Sequence, residues 1–310
     1  MSFTGLLPVD KPLGLRSTDC VQRLRRILGR KIKIGHGGTL DSTATGLLFI
    51  LTGGATRLAN FVMALPKCYE AEVTFGVSTS TDDASGEVTA RAGRSHITNE
   101  ETEILLCGFL GWRMQSPPAV SAVHVDGLRA HELARGGLAV VPEARPVYFS
   151  KIERISDMDD AGRMRFRVFC SKGTYIRSFA RDLGSALASA AHLSALRRVS
   201  CGAFTASDAY PAEKLFEMSS SELAASLLPI ESLCREGAAY GADDEAAAKL
   251  SSGLPVTLDL LFRKNLPPAC SKKLLVASPS LFSICDIARD GAKLKLSPDV
   301  NIKFSGGAED

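Results

Sequence analysis

A chain of 310 residues, 45% hydrophobic and 23% charged, holds enough apolar mass for one large domain and a small one, with no apolar run near the length of a membrane span. Eight cysteines without a Cys-x-x-Cys pair argue against a zinc site or a disulfide framework, and the five histidines (His36, His96, His124, His131, His192) lack metal-ligand spacing, so no metal is expected. The net charge of +3 is unevenly spread: residues 1–200 carry 26 basic and 19 acidic side chains, residues 201–310 carry 11 and 15, so the first two thirds suits a polyanionic partner.

In chain order, residues 1–8 have neither a basic n-region nor a long apolar h-region, which argues against a secretory signal and for reduced cysteines in the cytoplasm. Ser17-Thr18-Asp19 caps a helix running to Leu28, with Val21, Leu24 and Leu28 on one face and Asp19 and Gln22 at capping-box spacing. Arg23, Arg25, Arg26, Arg30, Lys31 and Lys33 form a basic patch fit for phosphate contact. Leu47-Leu48-Phe49-Ile50-Leu51 is a short buried segment, and residues 69–76 alternate as a half-buried strand with Tyr69, Ala71, Val73 and Phe75 inward. Thr98 and Glu101 box the start of a helix reaching about Phe109. Residues 164–170 alternate as another strand, and Ser171-Lys172-Gly173-Thr174 turns into a helix that carries Ile176, Phe179, Ala180, Leu183 and Leu187 inward. The mixed order predicts an α+β fold with a central, largely antiparallel mixed sheet. Residues 218–252 are rich in Ser, Ala and Gly and predict a domain boundary near 235–245, dividing residues 1–238 from a small β-rich domain at 239–310 with runs at 274–277, 281–287 and 294–296.

The densest signal is Gly35-His36-Gly37-Gly38-Thr39-Leu40-Asp41-Ser42-Thr43-Ala44-Thr45-Gly46. Asp41 is the only carboxylate between Asp19 and Glu70, and the glycines before it allow close backbone approach to a bulky ligand. A lone acid on such a loop, set against a buried segment, is a candidate nucleophile or, failing company, a turn residue bonding its own backbone.

Company is present. Asp10-Lys11-Pro12-Leu13-Gly14, the loop of Asp41, Lys67-Cys68-Tyr69, and Gly173-Thr174-Tyr175-Ile176-Arg177 together resemble the ordered motifs of the pseudouridine synthases, most closely the TruB type. Gln115-Ser116-Pro117-Pro118, Ser121-Ala122, Gly127, Arg129-Ala130 and residues 132–137 resemble that family's RNA-clamping insertion, at about 115–145. The resemblance covers about residues 5–205. It implies the pseudouridine synthase fold with a PUA-like C-terminal domain. The implied activity converts the uridine at position 55, in the T-loop of transfer RNA, to pseudouridine by base flipping. It uses no cofactor or metal, no membrane and no obligatory protein partner, and implies a monomer.

By the same resemblance Asp41 attacks C1′ or C6 of the uridine or stabilises an elimination intermediate; these routes stay open. Arg177 is its partner, since a carboxylate in a water-excluding site needs a cation that does not deprotonate. Tyr69 stacks on the base and assists proton transfer. Tyr175 and Leu196 line the uracil pocket, His36 holds the RNA once the base has left its stack, and Lys11 and Lys67 support the substrate site. Four positions depart from the pattern. Ser42 replaces a proline and loosens the loop, Cys68 replaces a basic residue, and His124 and His131 replace a lysine and a tyrosine in the clamp. An RNA-folding chaperone on the same fold and the guide-RNA-dependent relative are the competing readings. Retention of Asp41, Tyr69 and Arg177 favours a stand-alone enzyme, and no lysine-rich tail supports the guide-dependent reading.

Overall fold

The computed structural model describes residues 3–94, 97–121, 142–265 and 273–304, with the backbone of 124–125 and 128–129. In its first part the chain lays down β1 (Gly5–Lys11), α1 (Ser17–Leu28), β2 (Ile34–His36), β3 (Ala44–Thr52), α2 (Ala59–Ala64) and β4 (Lys67–Phe75). A hairpin of β5 (Val77–Thr79) and β6 (Val88–Arg91) follows, then α3 (Asn99–Cys107), β7 (Gly111–Gln115) and the two-residue pair β8 (His124–Val125) and β9 (Leu128–Arg129). Next come β10 (Arg145–Arg154), β11 (Arg163–Cys170), α4 (Ile176–Ala186), β12 (Ala191–Cys201), β13 (Phe204–Thr205) and β14 (Tyr210–Pro211).

The main sheet has the order β14-β1-β3-β12-β4-β11-β10-β7, with β2 on β3 and β13 on β12. Only β1–β14 and β12–β3 pair in parallel, so the expected largely antiparallel mixed sheet is what forms. Its two ends differ. At β3, Leu48 and Ile50 enter one core with Leu7, Val9 and Leu24, while Leu47, Phe49 and Leu51 enter another on the opposite side. That double burial is why the segment is apolar without alternation. At β4 and β11 only one face is covered, and Glu70, Arg165 and Arg167 pair on the open face. Helix α4 covers the inner face: Ile176, Phe179, Ala180 and Leu183 are all buried, and the Phe179 ring lies 5.4 to 5.9 Å from those of Phe109, Phe149 and Phe166. Each such phenylalanine contributes about 1.5–3 kcal/mol of burial.

One sequence reading needs correction. Helix α1 is capped by Arg16, whose backbone N–H donates to Asp19 Oδ2 at 3.0 Å, and not by an Asp19–Gln22 box. The Ser17 hydroxyl is spent elsewhere, on Leu40. The Ser/Ala/Gly-rich stretch contains helices Ser220–Ala225 and Asp244–Ser251, the first boxed by Ser219 and Glu222. Thr98 and Glu101 box α3 as expected.

A second, six-stranded sheet follows: β15 (Ala239–Ala242), β16 (Val256–Thr257), β17 (Leu261–Asn265), β18 (Lys273–Ser278), β19 (Leu281–Asp290) and β20 (Lys293–Lys303). Leu275, Ala277, Phe282, Ile284 and Ile302 share one core with Leu47, Phe49 and Leu51, so this β-rich end packs on the main sheet through a common apolar layer.

Candidate active site

Asp41 follows a residue clamped from both sides. The Ser17 hydroxyl donates to the Leu40 carbonyl at 3.0 Å and accepts the Leu40 N–H at 2.8 Å, inside the protein. The Gly14 N–H reaches the Ser42 carbonyl at 2.8 Å, so the loop is tied down although Ser42 lacks a proline ring. Two glycines allow the tight path. A Cβ at Gly37 would lie 2.5 Å from Val62, and one at Gly46, whose φ is +102°, would lie 2.3 Å from the Arg198 carbonyl oxygen.

The Asp41 side chain, 46% exposed, stands at the mouth of a cleft lined by Thr39, Leu40, Asp41, Tyr69, Thr174, Ile176, Arg177 and Leu196. Arg177 Nη2 lies 3.0 Å from Asp41 Oδ2. Its other nitrogen, Nη1, donates to the carbonyls of Thr81 and Val120, both at 3.1 Å, and faces Asp83 Oδ2 at 3.6 Å. Arg177 therefore does not pair with Asp182, which Arg181 takes at 3.0 Å. The turn at Gly173, with φ +83°, and the packing of α4 fix where this guanidinium points. Asp83 is a buried acid that the sequence reading missed. Burial pushes its carboxyl up, but the Ser85 and Thr81 hydroxyls, the Ser85 N–H and Arg177 together hold it below the usual range. Its only sequence signal is the turn composition of Thr81-Asp82-Asp83-Ala84-Ser85-Gly86.

Tyr69, on the inward face of β4, lies opposite Arg198 of β12 in the register and lines the cleft together with Leu196. Burial pushes its phenol up, and the nearby Arg198 charge opposes this. Arg198 itself is 3% exposed. Its Nε donates to the Leu47 carbonyl at 2.6 Å and its terminal nitrogens to the carbonyls of Thr39 and Gly38, both at 3.4 Å. Tyr175 caps α4, its backbone held by the Gln115 side chain, which accepts its N–H at 2.8 Å and donates to its carbonyl at 3.1 Å.

The cleft thus brings together Asp41, Tyr69, Arg177 and Leu196. Tyr175, His36, Lys11 and Lys67 lie outside its lining. Lys11 is fully buried and donates to the carbonyls of Pro12 and Leu15; Lys67, 7% exposed, donates to those of Met63, Leu65 and Val62. Burial lowers the pKa of both ammonium groups. His36 Nδ1 is buried without a hydrogen-bond partner among the described residues, and burial, aided by Arg198, lowers its pKa. Burial pushes the Cys68 thiol up to about 11 and that of Cys170 up to about 12, which leaves neither as a nucleophile. Among the described residues no His/Cys/Asp/Glu cluster is able to hold a metal. Most of the expected clamp, with His131 and the side chain of His124, lies outside the described residues.

Comparison with known proteins adds to this geometry. Residues 25–176 match the model of the TruB family pseudouridylate synthase N-terminal domain, and residues 177–235 match that of the tRNA pseudouridylate synthase B C-terminal domain. A tRNA pseudouridine synthase B of Streptococcus pyogenes is 40% identical over 261 residues, 83% of this chain and 88% of the relative. One from Halalkalibacterium halodurans is 42% identical over 236 residues, 74% and 77% of the two chains. Among solved structures, a chain of a Cbf5–Nop10–Gar1 complex superposes with a TM-score of 0.72 at 21% identity, covering 97% of this chain and 85% of that one. A chain of an H/ACA RNP bound to a substrate RNA containing 2′-deoxyuridine gives 0.69 at 19% identity, covering 98% and 86%. These two likenesses concern the fold alone.

Proposed function

Given that the chain belongs to the TruB family of pseudouridylate synthases, we propose that it converts the T-loop uridine at position 55 of tRNA to pseudouridine, acting as a stand-alone monomer in the cytoplasm. The observation that carries this reading is the Asp41–Arg177 pair at 3.0 Å, at the open end of a cleft walled by Tyr69 and Leu196.

In the reaction the bond between N1 of uracil and C1′ of ribose breaks, the base turns, and C5 bonds to C1′. N1 gains a proton and C5 loses one, so nothing is oxidised and no cofactor enters. Asp41 is the reacting carboxylate, as nucleophile at C1′ or C6 or as the charge that stabilises an elimination intermediate. Arg177 orients it with one arm while its other arm is held by protein carbonyls. Tyr69 offers a ring face to the base and a hydroxyl, under the influence of the Arg198 charge, for proton transfer at C5. Leu196 supplies an apolar wall. The uridine must leave its stack to reach Asp41, at a cost on the order of a few kcal/mol that is least in a loop. Recognition then rests on loop shape and phosphate contacts, for which the basic face of α1 is suited.

Tritium release from C5-labelled uridine in a T-arm hairpin tests the reading. Wild type releases tritium, and Asp41→Asn slows release by about 1,000-fold or more. Equal release by both proteins would mean that Asp41 is misassigned. No release by either, with hairpin binding intact, favours an RNA-folding chaperone.

A further inference from the structure

One turn beyond Arg177, the same helix carries a second arginine that the proposed chemistry does not use. Arg181 Nη1 meets Asp82 Oδ2 at 2.8 Å, its Nε donates to Asp182 at 3.0 Å, and its Nη2 donates to the Ser116 carbonyl at 2.9 Å. Asp82 adjoins Asp83 and has a φ of +59°, in the left-handed region. Its backbone is anchored there: its N–H donates to the Thr79 carbonyl at 3.2 Å and its carbonyl accepts the Leu193 N–H at 3.0 Å. Three carboxylates, Asp41, Asp82 and Asp83, thus converge on two arginines set one helical turn apart.

Asp82 is the surplus acid. Its side chain is 15% exposed, and Arg181 is the one side-chain partner of its carboxylate among the described residues. Arg177 is the other cation that acts on it. A carboxylate this buried requires a cation, and without Arg181 the one left is Arg177, which Asp41 also needs. The grip of Arg181 on the insertion root is duplicated, because the Ser178 hydroxyl donates to the same Ser116 carbonyl at 2.8 Å. Asp182, 27% exposed, has water available to it. The part of Arg181 that nothing else supplies is its charge beside Asp82.

We propose that Arg181 is a positioning residue: by pairing with Asp82 it keeps that carboxylate from drawing Arg177 away from Asp41. The proposal rests on the reading of Arg177 as the partner of the reacting carboxylate. Arg181 touches no reacting atom, so its loss slows the reaction without loosening RNA binding.

The test is single-turnover tritium release from the C5-labelled T-arm hairpin with enzyme in excess, alongside hairpin affinity and the circular dichroism spectrum. R181M slows release about tenfold with affinity nearly unchanged, and R181K, which keeps the charge but not the planar fork, retains most of the rate. The double variant D82N/R181M recovers most of what R181M loses, since the surplus carboxylate has gone; a purely structural role gives no such rescue. Release by R181M at the wild-type rate, R181K as slow as R181M, or a double variant as slow as R181M overturns the proposal. Where R181M alone does not fold, the double variant decides: folded and active supports the proposal, unfolded or slow overturns it. R177M, run beside them, separates the two readings, because wild-type release by R177M defeats the assignment of the site itself.

Discussion

The cleft has a helix side and a sheet side, and each is built on an arginine that is almost wholly buried. Arg177, on α4, shares its guanidinium between the exposed Asp41 and the buried Asp83, with two carbonyls completing its hydrogen bonds. Arg198, on β12, meets no carboxylate among the described residues; it donates to the carbonyls of Leu47, Thr39 and Gly38, and its charge acts on the Tyr69 phenol. The first aims a charge. The second shapes a loop, because the Gly38 and Thr39 carbonyls belong to the turn that delivers Asp41. A planar fork that stays charged suits both tasks, and the difference lies in what surrounds it.

The contrast breaks most visibly on the helix side. Arg177→Met should slow single-turnover release by about 100-fold or more while hairpin binding changes little, and Lys at the same position should restore only a small part, since a point charge does not span Asp41 and two carbonyls. Quenched-flow tritium release with filter binding checks this; a rate near wild type would sink the idea that Arg177 aims Asp41. On the sheet side, the close approach of β3 to β12 is tested by Gly46→Ala. The new methyl meets the Arg198 carbonyl at 2.3 Å on a backbone of positive φ, so unfolding in urea should show a loss of about 2–3 kcal/mol. A loss within error of zero would mean that the strands part easily.

Arg198→Met should be milder for catalysis, about tenfold in rate, with about 1–3 kcal/mol lost in stability from carbonyls left without donors. If its rate falls as far as that of Arg177→Met, the division between aiming and shaping is wrong. The smallest effect concerns pH. Burial depresses the pKa of His36, so the folded protein takes up this proton less readily than the unfolded chain. The contribution of His36 to stability is complete above the unperturbed value of about 6.5 and is lost as pH falls from there through the folded value. Melting temperatures between about pH 7.5 and 5 should therefore fall more for wild type than for His36→Asn, and parallel curves would refute the assignment.

Much of this architecture is legible from the residues in order. The inward set of α4, the alternation of β4 and β11 and the box at Thr98 and Glu101 are local patterns, and local patterns follow directly from helix and strand periodicity. The cap of α1 was misread because the Ser17 hydroxyl serves Leu40, which lies far along the chain, and only the folded loop brings the two together. Residues 218–252 read as a Ser-, Ala- and Gly-rich boundary region, yet alanine is also the best helix former, and Ser219 and Asp243 cap the two helices that form there.

By itself the sequence determined the α+β class, the apolar faces and the candidate acid in its glycine-rich loop, and the family resemblance pointed to the tyrosine and arginine expected to accompany it. Tertiary structure decided that Arg177 is shared with Asp83, that Arg198 bonds the loop, that Lys11 and Lys67 turn their ammonium groups to backbone carbonyls, and that Asp82 pairs with Arg181. The physical reason is distance along the chain. Periodicity and capping act over a few residues, whereas a buried charge takes its partners from whichever segments the sheet brings beside it.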